Sequence, residues 1–236
     1  MNFIPAPPGE REDADFQFDN SAGPRVMPGT YHVAVTVNGK TETQTLEVGL
    51  DPRLQTDVNA FRAQVQAGLE LRDELSALAE ALNRINSLQK QLAMIEDLLG
   101  GEGQGTEVRA SYQPVLAQAR LLSKRLEAVE MPLYNNEVQP GASDRLHFLE
   151  RFHDRLQGIM RSVLSDYGQA PSELQREEMA EVRRELEGHL QAVNQLLNTN
   201  VAAFNKLAAE HGSSTLFAGL PIELKPSGET AAGGGK

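Results

Sequence analysis

The amino-acid sequence predicts a mainly α fold, an elongated up-down antiparallel four-helix bundle preceded by a small β-hairpin. Four long segments repeat apolar side chains every three or four positions, which is the spacing of a helix face packed in a core. One short stretch instead alternates apolar and polar side chains with period two, which is typical of a strand. The predicted units are a flexible segment over 1–24, a hairpin over 25–50, a bundle over 56–211 and a mostly disordered tail over 212–236.

The hairpin is predicted by its turn. Asn38-Gly39 favours a type I′ turn, because both central residues need a positive φ. The resulting pairs are Val37 with Lys40, Val35 with Glu42, Val33 with Gln44 and Tyr31 with Leu46. Two strands alone are marginally stable, and only Phe16, Phe18 and residues 25–27 are available nearby to cover them. The hairpin therefore looks like the end of a β-sandwich whose other strands are missing or supplied by another chain.

The first helix is expected from about Thr56 to Leu99. Thr56 or Asp57 can cap its N-terminus, and a flexible glycine-rich linker over 100–105 ends it. Leucine and isoleucine follow a 3–4 spacing along it, which Gln89 and Glu96 interrupt. This pattern indicates a bundle helix rather than a two-stranded coiled coil.

The second helix begins between Thr106 and Ser111 and ends near Met131-Pro132. Its apolar row is unbroken. Pro114 is awkward if the helix begins at Thr106, but it falls in the first turn if Ser111 is the cap.

Two further helices complete the predicted bundle. The third is capped by Ser143 or Asp144 and reaches Tyr167, and the fourth opens with Pro171-Ser172 and runs to about Glu210. The expected core comprises Leu82, Ile85, Leu122, Leu126, Phe152, Leu156, Leu186 and Val193.

Composition excludes several classes of protein. The net charge of −11 disfavours nucleic acid as a partner, and the chain has no tryptophan with which to stack bases. The absence of cysteine excludes disulfides, thiolate catalysis and Fe–S clusters. No apolar run is long enough for a transmembrane segment. The first ten residues lack the pattern of a signal peptide, so we expect either a cytoplasmic protein or a chain without its true N-terminus.

Glu150 and His153 form a Glu-x-x-His motif of the kind that contributes to di-iron sites in helical bundles. Such a site needs a second motif, whereas Glu185 and His189 are four residues apart. The preferred interpretation is a solvated surface pair for Glu150 and His153 and a half-buried histidine for His189. We therefore predict no metal ligands and no cofactor.

The remaining polar groups have ordinary interpretations. His147, Glu150 and Asp154 would form a surface ion cluster if they share a helix face. His32 is expected to be structural, and the basic pair Arg183-Arg184 is expected to be solvated. No nucleophile elbow, phosphate-binding loop or dinucleotide fingerprint occurs in the sequence. No catalytic or cofactor-binding residues are therefore predicted, and the chain is not expected to be an enzyme.

One stretch resembles a known family. Residues 23–48, which include Pro-Gly-Thr-Tyr and Asn-Gly, resemble the last hairpin of the immunoglobulin-like module in bacterial sortilin-like proteins with Asp-box (BNR) β-propeller repeats. Asp51-Pro52-Arg53 is similar to the junction that follows this module. The stretches 71–73, 82–85 and 203–205 resemble the helical C-terminal region of the family.

The resemblance implies that residues 25–50 form a partial immunoglobulin-like β layer and that the propeller lies upstream of Met1. No Asp-box repeat occurs in the chain. It also implies a protein partner and an extracytoplasmic, periplasmic or secreted, location.

Two functions follow as hypotheses. The first is a non-catalytic structural or interaction module, either the C-terminal piece of a larger exported propeller protein or an accessory subunit that docks on a larger assembly. The alternative is a fragment of a glycosyl-hydrolase-like enzyme whose active part is missing.

Overall fold

The computed structural model describes residues 23–53, 56–100, 106–135 and 149–224, except for the side chains of 106–109. Its elements are β1 (Gly29–Val37), β2 (Lys40–Val48), α1 (Val58–Gly100), α2 (Thr106–Glu130), α3 (Phe152–Ser165), α4 (Glu173–Leu196), a π-helical segment (Leu197–Val201) and α5 (Ala202–Glu210). The mainly helical fold with a small antiparallel hairpin is confirmed. Several predicted features lie outside the described residues: Phe16, Phe18, the linker after Gly100, Ser143, Asp144, His147 and the tail after Leu224.

The hairpin forms in the predicted register. β1 and β2 pair from Gly29 with Val48 to Val37 with Lys40. Asn38 and Gly39 have φ values of 51° and 76°, as a type I′ turn requires. The local signals were sufficient here because every hydrogen bond of the ladder joins residues close in the chain.

α1 begins where its cap predicts. The Asp57 carboxylate accepts the N–H of Asn59 at 3.0 Å, and the helix ends at Gly100. Both polar interruptions of its apolar row contact α2. Gln89 donates to Glu130 at 3.1 Å, and Glu96 lies 3.5 Å from Arg120.

α2 begins at Thr106, the earlier end of the predicted range, so Pro114 lies inside the helix and not in its first turn. A proline this far inside a helix leaves the carbonyl group four residues earlier without its usual donor. Pro114 and Ala110 are both exposed, so water can hydrate that carbonyl group. The helix tolerates the proline for this reason.

α3 begins at Phe152, so the expectation that Leu149 and Glu150 belong to this helix was wrong. The chain returns to the end of α2 instead. The Phe152 N–H donates to the Pro132 carbonyl at 3.1 Å, and the His153 N–H donates to the Leu133 carbonyl at 3.0 Å. α3 thus starts next to the point where α2 stops.

α2 and α3 occupy successive levels along α1. Gln89 and Glu96 contact α2, whereas the buried Gln64, near the start of α1, donates to the Val163 carbonyl at 2.9 Å near the end of α3. Both helices therefore run opposite to α1. The predicted up-down order would instead make the third helix parallel to the first.

The fourth predicted helix is continuous from Glu173 to Glu210. Ser172 caps it: its hydroxyl accepts the Gln175 N–H at 3.2 Å, and the Gln175 side chain accepts the Ser172 N–H at 2.9 Å. The π-helical segment inside it was not predicted. Beyond it, Gly212 ends the helix with a positive φ, and the Ser213 N–H bonds to the Ala208 carbonyl at 2.8 Å.

The predicted core is largely correct. Of the eight residues named above, Leu82 is partly buried and the other seven are buried. The core runs along α1 and includes residues of α2, α3, α4 and α5. In the described part of the chain, no helix is both long and apolar enough to cross a bilayer.

Candidate functional site

The Glu150 and His153 motif is not a solvated pair. Glu150 lies before α3 and is exposed, whereas the side chain of His153 is mostly buried. Burial lowers the pKa of His153, and Asp154, with Oδ1 3.6 Å from Nδ1, opposes this shift. Gln157 lies 3.2 Å from its Nε2, and Tyr134 packs edge-on at 5.3 Å. His153 is thus held in the packing between α2 and α3, and the prediction of solvation was wrong.

His189 is half-buried, as expected, and it has defined partners. Its Nε2 lies 3.6 Å from Glu185, and the Phe152 ring packs edge-on at 5.1 Å. Glu185 also accepts from Arg155 of α3 at 2.9 and 3.1 Å. These groups join α3 to α4. No group of three or more potential metal ligands occurs among the residues whose placement is described.

A cavity of about 320 Å³ lies between α3 and α4. Its lining is acidic, with Glu150, Glu178 and Glu181 beside Arg155. The guanidinium of Arg155 is already engaged by Glu185. The cavity therefore has no cationic or nucleophilic group directed at a ligand within the described lining.

Glu74 is a buried charged residue that the sequence patterns did not reveal. Its Oε1 accepts from Arg183 of α4 at 3.1 Å, while Oε2 has no hydrogen-bond partner in the described residues. Burial raises its pKa to about 7, although Arg183 lowers it. The expectation of a solvated Arg183 was thus wrong, whereas Arg184 is exposed. The only sequence signal was a glutamate inside an apolar row.

The hairpin presents two different faces. Alternate residues of β1 give one face an apolar row, which Leu46 of β2 extends, while Lys40, Glu42 and Gln44 of β2 lie opposite the valines on the same face. The exposed fractions of Val33, Val35, Val37 and Leu46 lie between 45% and 61%. The opposite face is rich in threonine, with Thr36 and Thr41 hydroxyls 2.8 Å apart. β1 and β2 pack chiefly on each other. The apolar row is therefore open to solvent in the structure.

The base of the hairpin is attached to the bundle. Tyr167, just after α3, stacks on Phe61 of α1 at 5.4 Å between ring centroids. The guanidinium of Arg25 lies 5.2 Å from the centre of the same ring, and the Asp51 N–H is 3.4 Å from the tyrosine hydroxyl. Both chain segments that flank the hairpin are thereby held at one end of the bundle.

Residues 213–224, which we call the strap, run back along α1 and α4–α5. The strap belongs to the tail over 212–236 that was predicted to be mostly disordered, and residues 225–236 of that tail lie outside the described residues. Leu216 and Ile222 are buried, with 5% and 3% exposed, whereas Phe217 and Leu220 are about 80% exposed. The strap thus rests on the helices through these two buried side chains, and Ala218 and Leu224 pack against the same core while partly buried.

Side-chain amides of the helices bind the strap backbone. Asn205 donates to the Leu216 carbonyl at 2.9 Å and accepts its N–H at 2.6 Å. Asn194 does the same for Ile222, at 2.8 Å in both directions. Gln91 pairs with Phe217 in the same way, at 3.3 and 2.8 Å.

Arg84 is the fourth polar contact. Its guanidinium donates to the carbonyl groups of Ala218 and Leu220. We call Arg84, Gln91, Asn194 and Asn205 the strap seat. Nothing in the sequence marked these residues, because polar side chains on helices are usually solvated.

No family model, no curated protein and no solved structure matches the chain. The resemblance to sortilin-like proteins therefore stays a prediction.

Proposed function

We propose that the chain is a non-catalytic protein-interaction module that docks on a partner through the apolar row of its hairpin. The observation that carries this proposal is the half-exposed row of Val33, Val35, Val37 and Leu46 on a two-stranded sheet. Contiguous exposed apolar surface on a soluble protein commonly marks a contact with another molecule.

The kind of partner follows from the backbone. A two-stranded sheet leaves N–H and C=O groups along both outer edges, and such edges pair readily with a further strand. Valine side chains at period two suit the pleated surface of a sheet. The proposed partner is therefore a β-sheet protein that adds strands beside or over the hairpin.

The base of the hairpin supports this use. Tyr167 and Asp51 link the hairpin to the ends of α1 and α3, so its position on the bundle is constrained before binding. A docking element that is already ordered loses less conformational entropy when it binds. The bundle would then act as a stalk; α1 alone, with 43 residues, is about 65 Å long.

The resemblance supplies the biological setting of the proposal. A chain that follows a sortilin-like propeller would dock on that propeller or on a larger extracytoplasmic assembly. Its role would be structural, and the location would be periplasmic or secreted. The competing proposal is a fragment of a glycosyl-hydrolase-like enzyme, for which turnover of chromogenic glycosides by this chain would be the supporting result.

The test compares the two faces of the hairpin. The tagged chain is used to capture partners from its native source, together with a Val33→Ser/Val35→Ser variant. The matched control, Ala34→Ser/Thr43→Ser, makes the same kind of change on the opposite face. We expect the first variant to lose the captured protein at least tenfold, and the control to retain it.

Two results would overturn the proposal. One is capture of the same protein by both variants to the same extent, with hairpin pairing verified by NMR. The other is recovery of the chain alone, with measurable turnover of a substrate.

A further inference from the structure

We infer that the strap seat is a binding site for an extended peptide of a protein partner, which the chain's own strap occupies in the resting molecule. The ligand class is a peptide with apolar residues six positions apart, as Leu216 and Ile222 are. The inference does not depend on the hairpin, which lies at another place in the fold.

The first argument is that the polar contacts bind backbone atoms. Asn194 and Asn205 each satisfy both the N–H and the C=O of one strap residue, as a neighbouring β-strand would. Gln91 repeats this at Phe217. Peptide sites that work by strand addition use such backbone bonds for affinity and side-chain pockets for specificity. The seat therefore binds backbone groups that every peptide carries.

The second argument concerns which side chains the seat selects. Leu216 and Ile222 are buried, while Phe217 and Leu220 between them point to solvent with about 80% of their surface exposed. Gly219 adds one requirement: its φ is +71°, and a Cβ there would collide with the guanidinium of Arg84. The seat thus recognises two buried apolar residues with a glycine between them, and the partly buried Ala218 and Leu224 add to this apolar contact.

The third argument is that the strap can leave without breaking a helix. Only the Ser213 N–H, bonded to the Ala208 carbonyl, joins the described strap to a helix backbone. The other polar contacts of the strap are with side chains of the seat, and its apolar contacts are with the core. The high exposure of Phe217 and Leu220 shows that no described residue covers the strap. Gly212, where the chain leaves α5, has a positive φ and open space around it. The strap is thus attached to the bundle at a hinge and lies on its surface.

The tether sets how strongly the strap competes. A short flexible connection gives an effective concentration in the millimolar range. A peptide with a micromolar dissociation constant for the empty seat should therefore bind the intact chain about 100- to 1,000-fold more weakly. A partner overcomes this competition when it binds a second surface as well.

The test cuts the covalent connection between the bundle and the strap and retains every residue of the chain. A protease recognition sequence is inserted between Gly212 and Ser213 of the full chain, and the folded protein is cut there. A fluorescent peptide with the sequence of residues 213–224 is then added and followed by anisotropy. We expect saturable binding to the cut chain and binding at least 100-fold weaker to the uncut chain.

Matched peptides and one seat variant test the mode of binding. A peptide with Leu216→Asp and Ile222→Asp should lose binding, whereas one with Phe217→Asp and Leu220→Asp should bind within a few-fold of the original. Asn194→Ala in the cut chain should weaken binding at least tenfold.

Several outcomes would overturn the inference. These are no peptide binding by a folded cut chain, equal binding by the uncut chain, and equal binding of the two substituted peptides. Formation of a dimer in which two copies exchange straps would show that the seat binds a second copy of this chain. That result would overturn the inference that the ligand is a peptide of another protein.

A second measurement tests the inference even if the cut chain unfolds, because it uses the uncut chain. Hydrogen exchange of the Leu216 and Ile222 amides is followed in the uncut chain. We expect exchange by a local opening, faster than for the buried amides of α4. Exchange only through global unfolding would make the strap part of the core and overturn the inference.

Discussion

The backbone N–H and C=O groups of the hairpin and of the strap find their hydrogen-bond partners in opposite ways. β1 and β2 bond to each other along nine paired positions, and their apolar side chains are half-exposed. The strap relies on amides from α1, α4 and α5, and its two anchors are buried. The hairpin is therefore a local structure that the bundle carries, whereas the strap exists only because the bundle is folded. Substitutions in the strap should therefore change the stability of the whole molecule, whereas substitutions in the hairpin should not.

Ile222→Ala should have the largest effect. Removing most of a buried side chain costs about 2–5 kcal/mol in free energy of unfolding, because transfer energy is lost and a cavity remains. The matched change Val35→Ala, on the exposed hairpin face, should cost less than about 0.5 kcal/mol. Urea unfolding followed by circular dichroism measures both. Equal effects would remove the distinction between the two regions.

Glu74 extends the comparison to charge, since it joins the same helices, α1 and α4, that hold the strap. Its pKa of about 7 lies above the ordinary 4.5, so the folded chain binds this proton more tightly than the unfolded chain. Its contribution to stability is present below pH 4.5 and is lost as the pH rises through 7. As the pH rises from 4.5 to 8, the free energy of unfolding of Glu74→Gln should therefore increase by about 1–3 kcal/mol relative to that of the parent chain.

The measurement is urea unfolding of both chains at several pH values. The difference between the two chains is needed because His153 also makes stability depend on pH. Burial lowers the pKa of His153, so its contribution to stability is lost in both chains as the pH falls through 6.5, the ordinary pKa of histidine. The exposed Glu181→Gln is the control, and its free energy of unfolding should stay within about 0.5 kcal/mol of the parent chain. A constant difference for Glu74→Gln would contradict the prediction.

Asn194→Ala tests the amide pairs. It leaves the partly buried N–H and C=O of Ile222 without partners, which should lower the free energy of unfolding by about 1–3 kcal/mol. Gln91→Ala breaks a more exposed pair and should cost less than about 1 kcal/mol. The reverse order in urea unfolding would show that burial does not determine the strength of these contacts.

Gly39→Val tests the hairpin and should have the smallest effect on the molecule as a whole. A β-branched residue at a φ of 76° is strained by about 1–2 kcal/mol. We expect faster amide exchange across β1 and β2, measured by NMR, with unchanged melting of the bundle. Gly49→Ala, where a Cβ meets open space, is the control. A lower melting temperature of the bundle in Gly39→Val would show that the two regions are coupled.

The elements that were predicted correctly depend on short-range contacts. Asn38-Gly39 sets the register of the hairpin, Asp57 and Ser172 cap their helices, and the apolar rows identify the buried faces. Each of these signals acts over one or two turns of chain. A sequence pattern is sufficient where the interacting groups lie that close together.

The elements that were missed or misplaced depend on contacts between distant residues. α3 starts at Phe152 because that residue returns to Pro132, and Leu149, although correctly spaced for the row, is exposed. Glu74 and Arg183 are 109 residues apart, and the position of Glu74 inside an apolar row was the only local signal of their contact.

The sequence by itself determined the buried faces of the helices, the caps of α1 and α4 and the hairpin, because local hydrogen bonding and hydrophobic periodicity specify them. Only the tertiary structure decided where the strap lies. Gln91 and Phe217 are 126 residues apart, and an amide on a helix binds a peptide backbone only after packing brings the two together. The same packing removes Glu74 from water and raises its pKa. Burial is a property of the assembled helices, and no single segment encodes it.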